Sequence, residues 1–129
     1  MILICRHGQT EWNLERRLQG WLDSELTELG KTQAGALQFG LKTFCREKNF
    51  KVICSPLGRV RSTAKIALAD APYVTEITYD DRLKEHGIGA WEGLNTEEIE
   101  QRFPGMLEKK EKDGWNFQPP EGESLAHLE

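Results

Sequence analysis

Met1-Ile2-Leu3-Ile4-Cys5-Arg6-His7-Gly8-Gln9-Thr10-Glu11-Trp12-Asn13 opens the chain, and the rest of the sequence is read outward from it. Met1 to Cys5 are apolar without polar alternation, which predicts a strand buried on both faces, as in a parallel sheet. The run stops at Arg6-His7-Gly8. In an open α/β sheet, ligands bind at the carboxyl ends of the strands. A cation, an imidazole and a glycine at that place are therefore site candidates. Arginine presents a planar fork of donors suited to phosphate or carboxylate. A neutral imidazole is both nucleophile and base. Glycine lets the backbone turn sharply and approach a ligand. Taken alone, Arg-His-Gly also fits polar loop residues that merely end a strand.

Downstream, residues 7–26 are polar and aromatic, a loop long enough to suggest function, with Thr10 placed to cap a short turn through Trp12 and Asn13. Thr27 reads as the N-cap of a helix whose inward face is Ala34, Leu37, Leu41, Phe44 and Cys45. Close packing on the sheet is the expected reason for Gly35 within it. Lys51–Cys54 reads as a second strand, followed at Ser55-Pro56 by a helix to about Ala71, with Val60, Ala64, Ala67, Leu68 and Ala71 inward. Thr75–Tyr79 favours a third strand. Strand-helix-strand-helix-strand implies a largely parallel sheet with helices on both faces. Beyond Leu83, Gly87, Gly89 and Gly93 suggest a flexible loop, and Asn95 or Thr96 caps a helix that Pro104-Gly105 interrupts. Glu108–Asp113 is a charge run that reads as a solvated helix face. An aromatic and proline-rich connector follows, and Ser124 could start another helix.

The 129 residues make one domain of ordinary size, taken as 1–129. A net charge of −4 argues against nucleic acid or an anionic membrane as partner. No apolar run has the length of a membrane span. Cys5, Cys45 and Cys54 lie among apolar neighbours and read as buried free thiols of a cytoplasmic protein. His7, His86 and His127 show no metal-ligand spacing, so no metal and no cofactor is expected.

Leu3 to Asn13 resembles the opening signature of the histidine phosphatase superfamily, also called phosphoglycerate-mutase-like. Four more pieces follow in that family's order: Arg17 to Thr27, Ser55 to Ala64, Leu83-Lys84-Glu85 with Gly89-Ala90-Trp91-Glu92-Gly93, and Gly122-Glu123-Ser124-Leu125. The fold this implies is three-layer α/β/α with a mostly parallel central sheet. The implied activity is a phosphomonoester hydrolase working through a phosphohistidine on His7. Arg6, Asn13 and Arg59 take the phosphate-pocket roles, and Glu85 resembles the general acid. A carboxyl beside a phosphate dianion has its pKa raised, which suits an acid working near neutrality. Gln19, Gly20 and Trp21 are the candidate substrate contacts, although Trp21 and Trp91 suit packing equally well. Arg61 points elsewhere on its helix, as a surface ion-pair partner.

The resemblance also has gaps. The family completes its site with a second histidine in a Ser-His-Gly motif after a later strand, and nothing here matches it. The chain is therefore expected to be an N-terminal portion, with the C-terminal part of the family fold missing and activity impaired. In the family, the strand carrying that histidine lies between those resembling Met1–Arg6 and Lys51–Cys54. Without it, the expected outcomes are direct pairing of those two strands, self-association through incomplete sheet edges, or marginal stability. A mutase places an arginine, a tyrosine and a lysine around the acid, where this chain has His86, Ile88 and Thr96. Those differences favour a phosphatase acting on a small phosphate ester. Phosphoglycerate mutase-type transfer and a catalytically inactive scaffold are the alternatives.

Overall fold

The computed structural model describes residues 1–45 and 49–128. In chain order the elements are α1 (Glu11–Leu14), α2 (Glu28–Phe44), β1 (Phe50–Cys54), α3 (Gly58–Ala67), β2 (Val74–Tyr79), α4 (Thr96–Arg102) and α5 (Met106–Asp113), with short 3-10 turns between and after them. They form two compact units. The first comprises 1–11 and 24–84, the second 12–23 and 85–129.

In the first unit, β1 and β2 pair in parallel, joined by the crossover helix α3. This is the strand-helix-strand pattern expected for an α/β protein. Thr27 caps α2 as anticipated, its hydroxyl accepting the Gly30 amide at 3.0 Å. The inward face of α2 is narrower than its spacing suggested. Ala34 and Cys45 are buried, Leu37 and Leu41 are half-buried, and Phe44 is 70% exposed. Gly35 does not pack closely, since a Cβ there would meet nothing within 4 Å. The close approach is at Gly30, where a Cβ would overlap the Gln9 carbonyl. Glycine is required because backbone meets backbone there.

The opening stretch departs most from expectation. Met1 to Gln9 form no strand, and Met1, Ile2, Leu3 and Ile4 are exposed, Ile4 at 95%. The sheet has two strands, and neither pairs with Met1–Cys5 among the described residues. Direct pairing of the opening stretch with Lys51–Cys54 is thus not what the chain does. Apolar composition favours burial, but a strand also needs a neighbour for its N–H and C=O groups, and this segment has no strand beside it. Cys5 is exposed with it, whereas Cys45 and Cys54 are the buried thiols expected.

The second unit is built on a small aromatic core. Trp91, Leu94, Ile99 and Phe117 are buried, with Ile88, Phe103, Met106 and Leu107 packed on them. The Trp91 and Phe117 rings lie 5.2 Å apart, a favourable tilted pair. Asn95 caps α4 with a reciprocal box: it accepts the Glu98 amide at 2.9 Å, and Glu98 accepts the Asn95 amide at 3.1 Å. Arg17 braces the same corner, donating to Glu98 at 2.5 and 3.2 Å and to the Gly93 carbonyl at 2.8 Å. Its guanidinium holds the Glu98 carboxyl below the usual carboxylate range. Gly87, Gly89 and Gly93 mark contact rather than flexibility. Gly89 sits at φ +53°, and a Cβ there would overlap the backbone of 120–122.

Candidate active site

In the first unit, the Arg6-His7-Gly8 segment is fastened from two sides. On one side it meets the start of α2. The Gln9 amide donates to Gln33 Oε1 at 2.9 Å, the Thr27 hydroxyl donates to Gln9 Oε1 at 2.9 Å, and the Thr27 amide donates to the Gln9 carbonyl at 3.0 Å. Gly8 and Gly30 are juxtaposed so closely that a Cβ on either would overlap the other segment's backbone. On the other side it meets α3. The Gly8 amide donates to the Thr63 hydroxyl at 3.0 Å, and that hydroxyl donates to the Arg59 carbonyl at 2.8 Å. The residues of the two motifs, distant in sequence, are thereby linked through one side chain.

His7 Nδ1 lies 2.8 Å from the Gly8 carbonyl. A carbonyl only accepts, so Nδ1 carries the proton in this bond. The neutral ring then keeps its lone pair on Nε2, the form a nucleophile needs. Arg59 is 3% exposed and occupies the first turn of α3, where the N-cap residue Leu57 offers no side-chain cap. A guanidinium at a helix N-terminus is a favourable setting for an anion. Arg6 is exposed.

The buried face of α3 is Arg59, Thr63 and Ala67; of the apolar set read from the sequence Ala67 is buried, and Val60, Ala64, Leu68 and Ala71 are half-buried. Thr63 is the residue that reading missed. The signal was a stripe of spacing four starting at the motif arginine, a pattern that marks one helix face whatever its polarity. Arg61 also differs from its expected role. Its guanidinium lies 3.7 Å from the centre of the Tyr79 ring, and its Nε donates to the Pro56 carbonyl at 2.8 Å.

Asn13, Gln19, Gly20, Trp21 and Glu85 belong to the second unit. Asn13 is half-buried in α1, Gln19 and Gly20 are buried, and Trp21 and Glu85 are exposed. Gly20 takes φ +55°, and a Cβ there would overlap the Glu92 carboxylate. The same carboxylate accepts the Trp21 amide at 2.9 Å. The Trp21 indole donates to the Glu85 carbonyl at 2.8 Å, so a candidate substrate contact and the candidate acid are directly joined. Trp91 is instead a packing anchor at 1% exposure. The remaining histidines are engaged locally: His86 Nε2 with the Glu123 carbonyl, and His127 Nδ1 with Ser124 Oγ at 2.9 Å. No group of three or more His, Cys, Asp or Glu side chains among the described residues is placed to hold a metal ion. No described helix is long and apolar enough to cross a membrane.

Residues 2–129 match the profile of the histidine phosphatase superfamily, branch 1. The chain is 37% identical over 131 aligned residues to a probable phosphoglycerate mutase GpmB of Escherichia coli O1:K1, covering 98% of this chain and 57% of that protein. Among solved structures it is similar to YhfR of Bacillus stearothermophilus (35% identical, TM-score 0.78) and to the α-ribazole phosphatase of Shigella flexneri (26% identical, TM-score 0.81). Each alignment covers 95% of this chain and 58% of the other. A mycobacterial glucosyl-3-phosphoglycerate phosphatase, solved with VO3, is 34% identical with a TM-score of 0.77, again over 95% and 58%. The chain thus spans a little over half the length of the proteins it matches.

Proposed function

We propose, from the premise that this chain belongs to the histidine phosphatase superfamily, that it carries the nucleophilic half of a phosphomonoester hydrolase. The observation that carries the reading is the His7 ring, presented as the Nδ1–H tautomer on a segment tied through Thr63 to the helix of Arg59. His7 Nε2 attacks phosphorus as the ester P–O bond breaks, leaving a phosphohistidine. Glu85 gives its proton to the departing oxygen. Water then attacks the phosphohistidine, the P–N bond breaks, and the water proton returns to the Glu85 carboxylate. Arg6, Arg59 and Asn13 grip the equatorial oxygens, where the charge is spread in the transition state. Gln19, Gly20 and Trp21 meet the organic part of the ester.

Phosphate release is favoured over phosphoryl return to a second hydroxyl. His86, Ile88 and Thr96 supply none of the cations a mutase uses for an acidic sugar phosphate, and His86 is occupied with the Glu123 carbonyl. The free thiols suit a reducing cytoplasm. The test is phosphate release from a panel of phosphomonoesters, with acid-labile labelling of the protein by substrate. His7→Ala is expected to abolish both. Labelling that survives the substitution would overturn the assignment, and isomerised product without free phosphate would favour the mutase reading.

A further inference from the structure

The Glu85 loop is fastened at three consecutive residues, two of them to Glu123, which no role above employs. The Glu85 carbonyl accepts the Trp21 indole at 2.8 Å. The His86 ring bonds the Glu123 carbonyl through Nε2, which must carry the proton because a carbonyl only accepts. Gly87 and Glu123 exchange two bonds: the Gly87 amide donates to Glu123 Oε2 at 3.1 Å, and the Glu123 amide donates to the Gly87 carbonyl at 2.7 Å. Gly87 is buried between its neighbours, and a Cβ there would come within 2.9 Å of the Trp21 ring and 3.1 Å of the Glu123 carboxylate. Glu85 itself is exposed at the end of this clasp, its Oε1 accepting the His86 amide at 3.2 Å. A general acid works only when its proton lies within hydrogen-bond reach of the leaving atom, so a loop that carries one gains from being pinned just behind it.

We infer that Glu123 is a positioning residue for Glu85, acting through Gly87, with Trp21 as the strut on the other side. This rests on the reading of Glu85 as the acid. A positioning role predicts a loss that depends on the leaving group. In Glu123→Ala, kcat on glycerol phosphate should fall about tenfold with KM unchanged, while nitrophenyl phosphate, which leaves without help, should change less than about twofold. Glu123→Gln keeps an oxygen for the Gly87 amide and should restore most of the rate. Trp21→Phe, which keeps a ring but removes the N–H, should show the same leaving-group dependence.

Equal losses on both esters, or a Glu123→Gln variant as slow as Glu123→Ala, would overturn the inference. If Glu85→Gln shows no leaving-group dependence, or the wild-type chain no turnover, the function reading fails instead. The clasp is then decided by hydrogen exchange. Gly87 amide exchange should quicken about tenfold in Glu123→Ala and recover in Glu123→Gln. Unchanged exchange would overturn it.

Discussion

Met1 to Ile4 and the cluster around Trp91 are both groups of large apolar side chains, yet the first is exposed and the second is the best-buried part of its unit. The Trp91 cluster draws on residues 88–117, close in sequence. Helices α4 and α5 pair part of their backbone internally and the Asn95 cap takes up an end amide of α4, so mainly side chains remain to be packed. Met1 to Ile4 are written as a strand, and a strand cannot satisfy its backbone alone. Burial therefore followed hydrogen-bond bookkeeping as much as hydropathy.

The largest effect should come from the core. Trp91→Ala removes the ring paired at a tilt with Phe117 and should lower the stability of its unit by about 3–5 kcal/mol in urea denaturation. Trp91→Phe should cost far less, because the indole nitrogen has no hydrogen-bond partner there. A similar cost for both would mean that the ring is not the keystone.

Next come two of the three glycines of α2. Gly30→Ala drives a methyl into the Gln9 backbone and should destabilise by about 1–3 kcal/mol, with loss of His7 labelling by substrate. Gly35→Ala meets nothing and should stabilise by up to about 1 kcal/mol. The opposite signs, read from thermal melts, test whether the His7 segment is seated on α2 as described.

A double change, Ile2→Lys with Ile4→Lys, should leave stability within about 0.5 kcal/mol, since both side chains are already in water. If the open sheet edge and the exposed apolar run recruit a second copy, the same change should reduce association in sedimentation. A core-sized stability loss would refute the contrast between the two regions.

The smallest effect is a pH dependence. The Arg82 guanidinium pulls the Asp80 carboxyl down from 3.8 to about 2. The folded value lies below the unfolded one, so the stabilisation is present above pH 3.8 and is lost as pH falls towards 2. Asp80→Asn should flatten the acid limb of the stability profile in that window.

Much of this was legible beforehand because its signals are local. Thr27 and Asn95 are caps readable from one residue and its helix. β1, α3 and β2 follow from short apolar runs and a proline. His7 and Arg59 stood out because a cation and an imidazole directly follow or flank such runs. Less legible were Thr63, whose hydroxyl joins the two motifs, and Glu123, whose partner Gly87 lies 36 positions away. Neither residue type carries a distinctive local pattern.

By itself the sequence determined most of the helices, the caps at Thr27 and Asn95, the parallel pair, the family, and residue types suited to a phosphate. Those depend on periodicity and on side-chain chemistry, which the order of residues states directly. Tertiary structure alone decided that Gly30 rather than Gly35 is the tight contact, that α3 turns Arg59 and Thr63 inward, and that Met1 to Ile4 remain exposed. Each of these turns on what stands opposite a residue in space. A backbone carbonyl, a hydroxyl or a neighbouring strand leaves no mark on the residue that faces it.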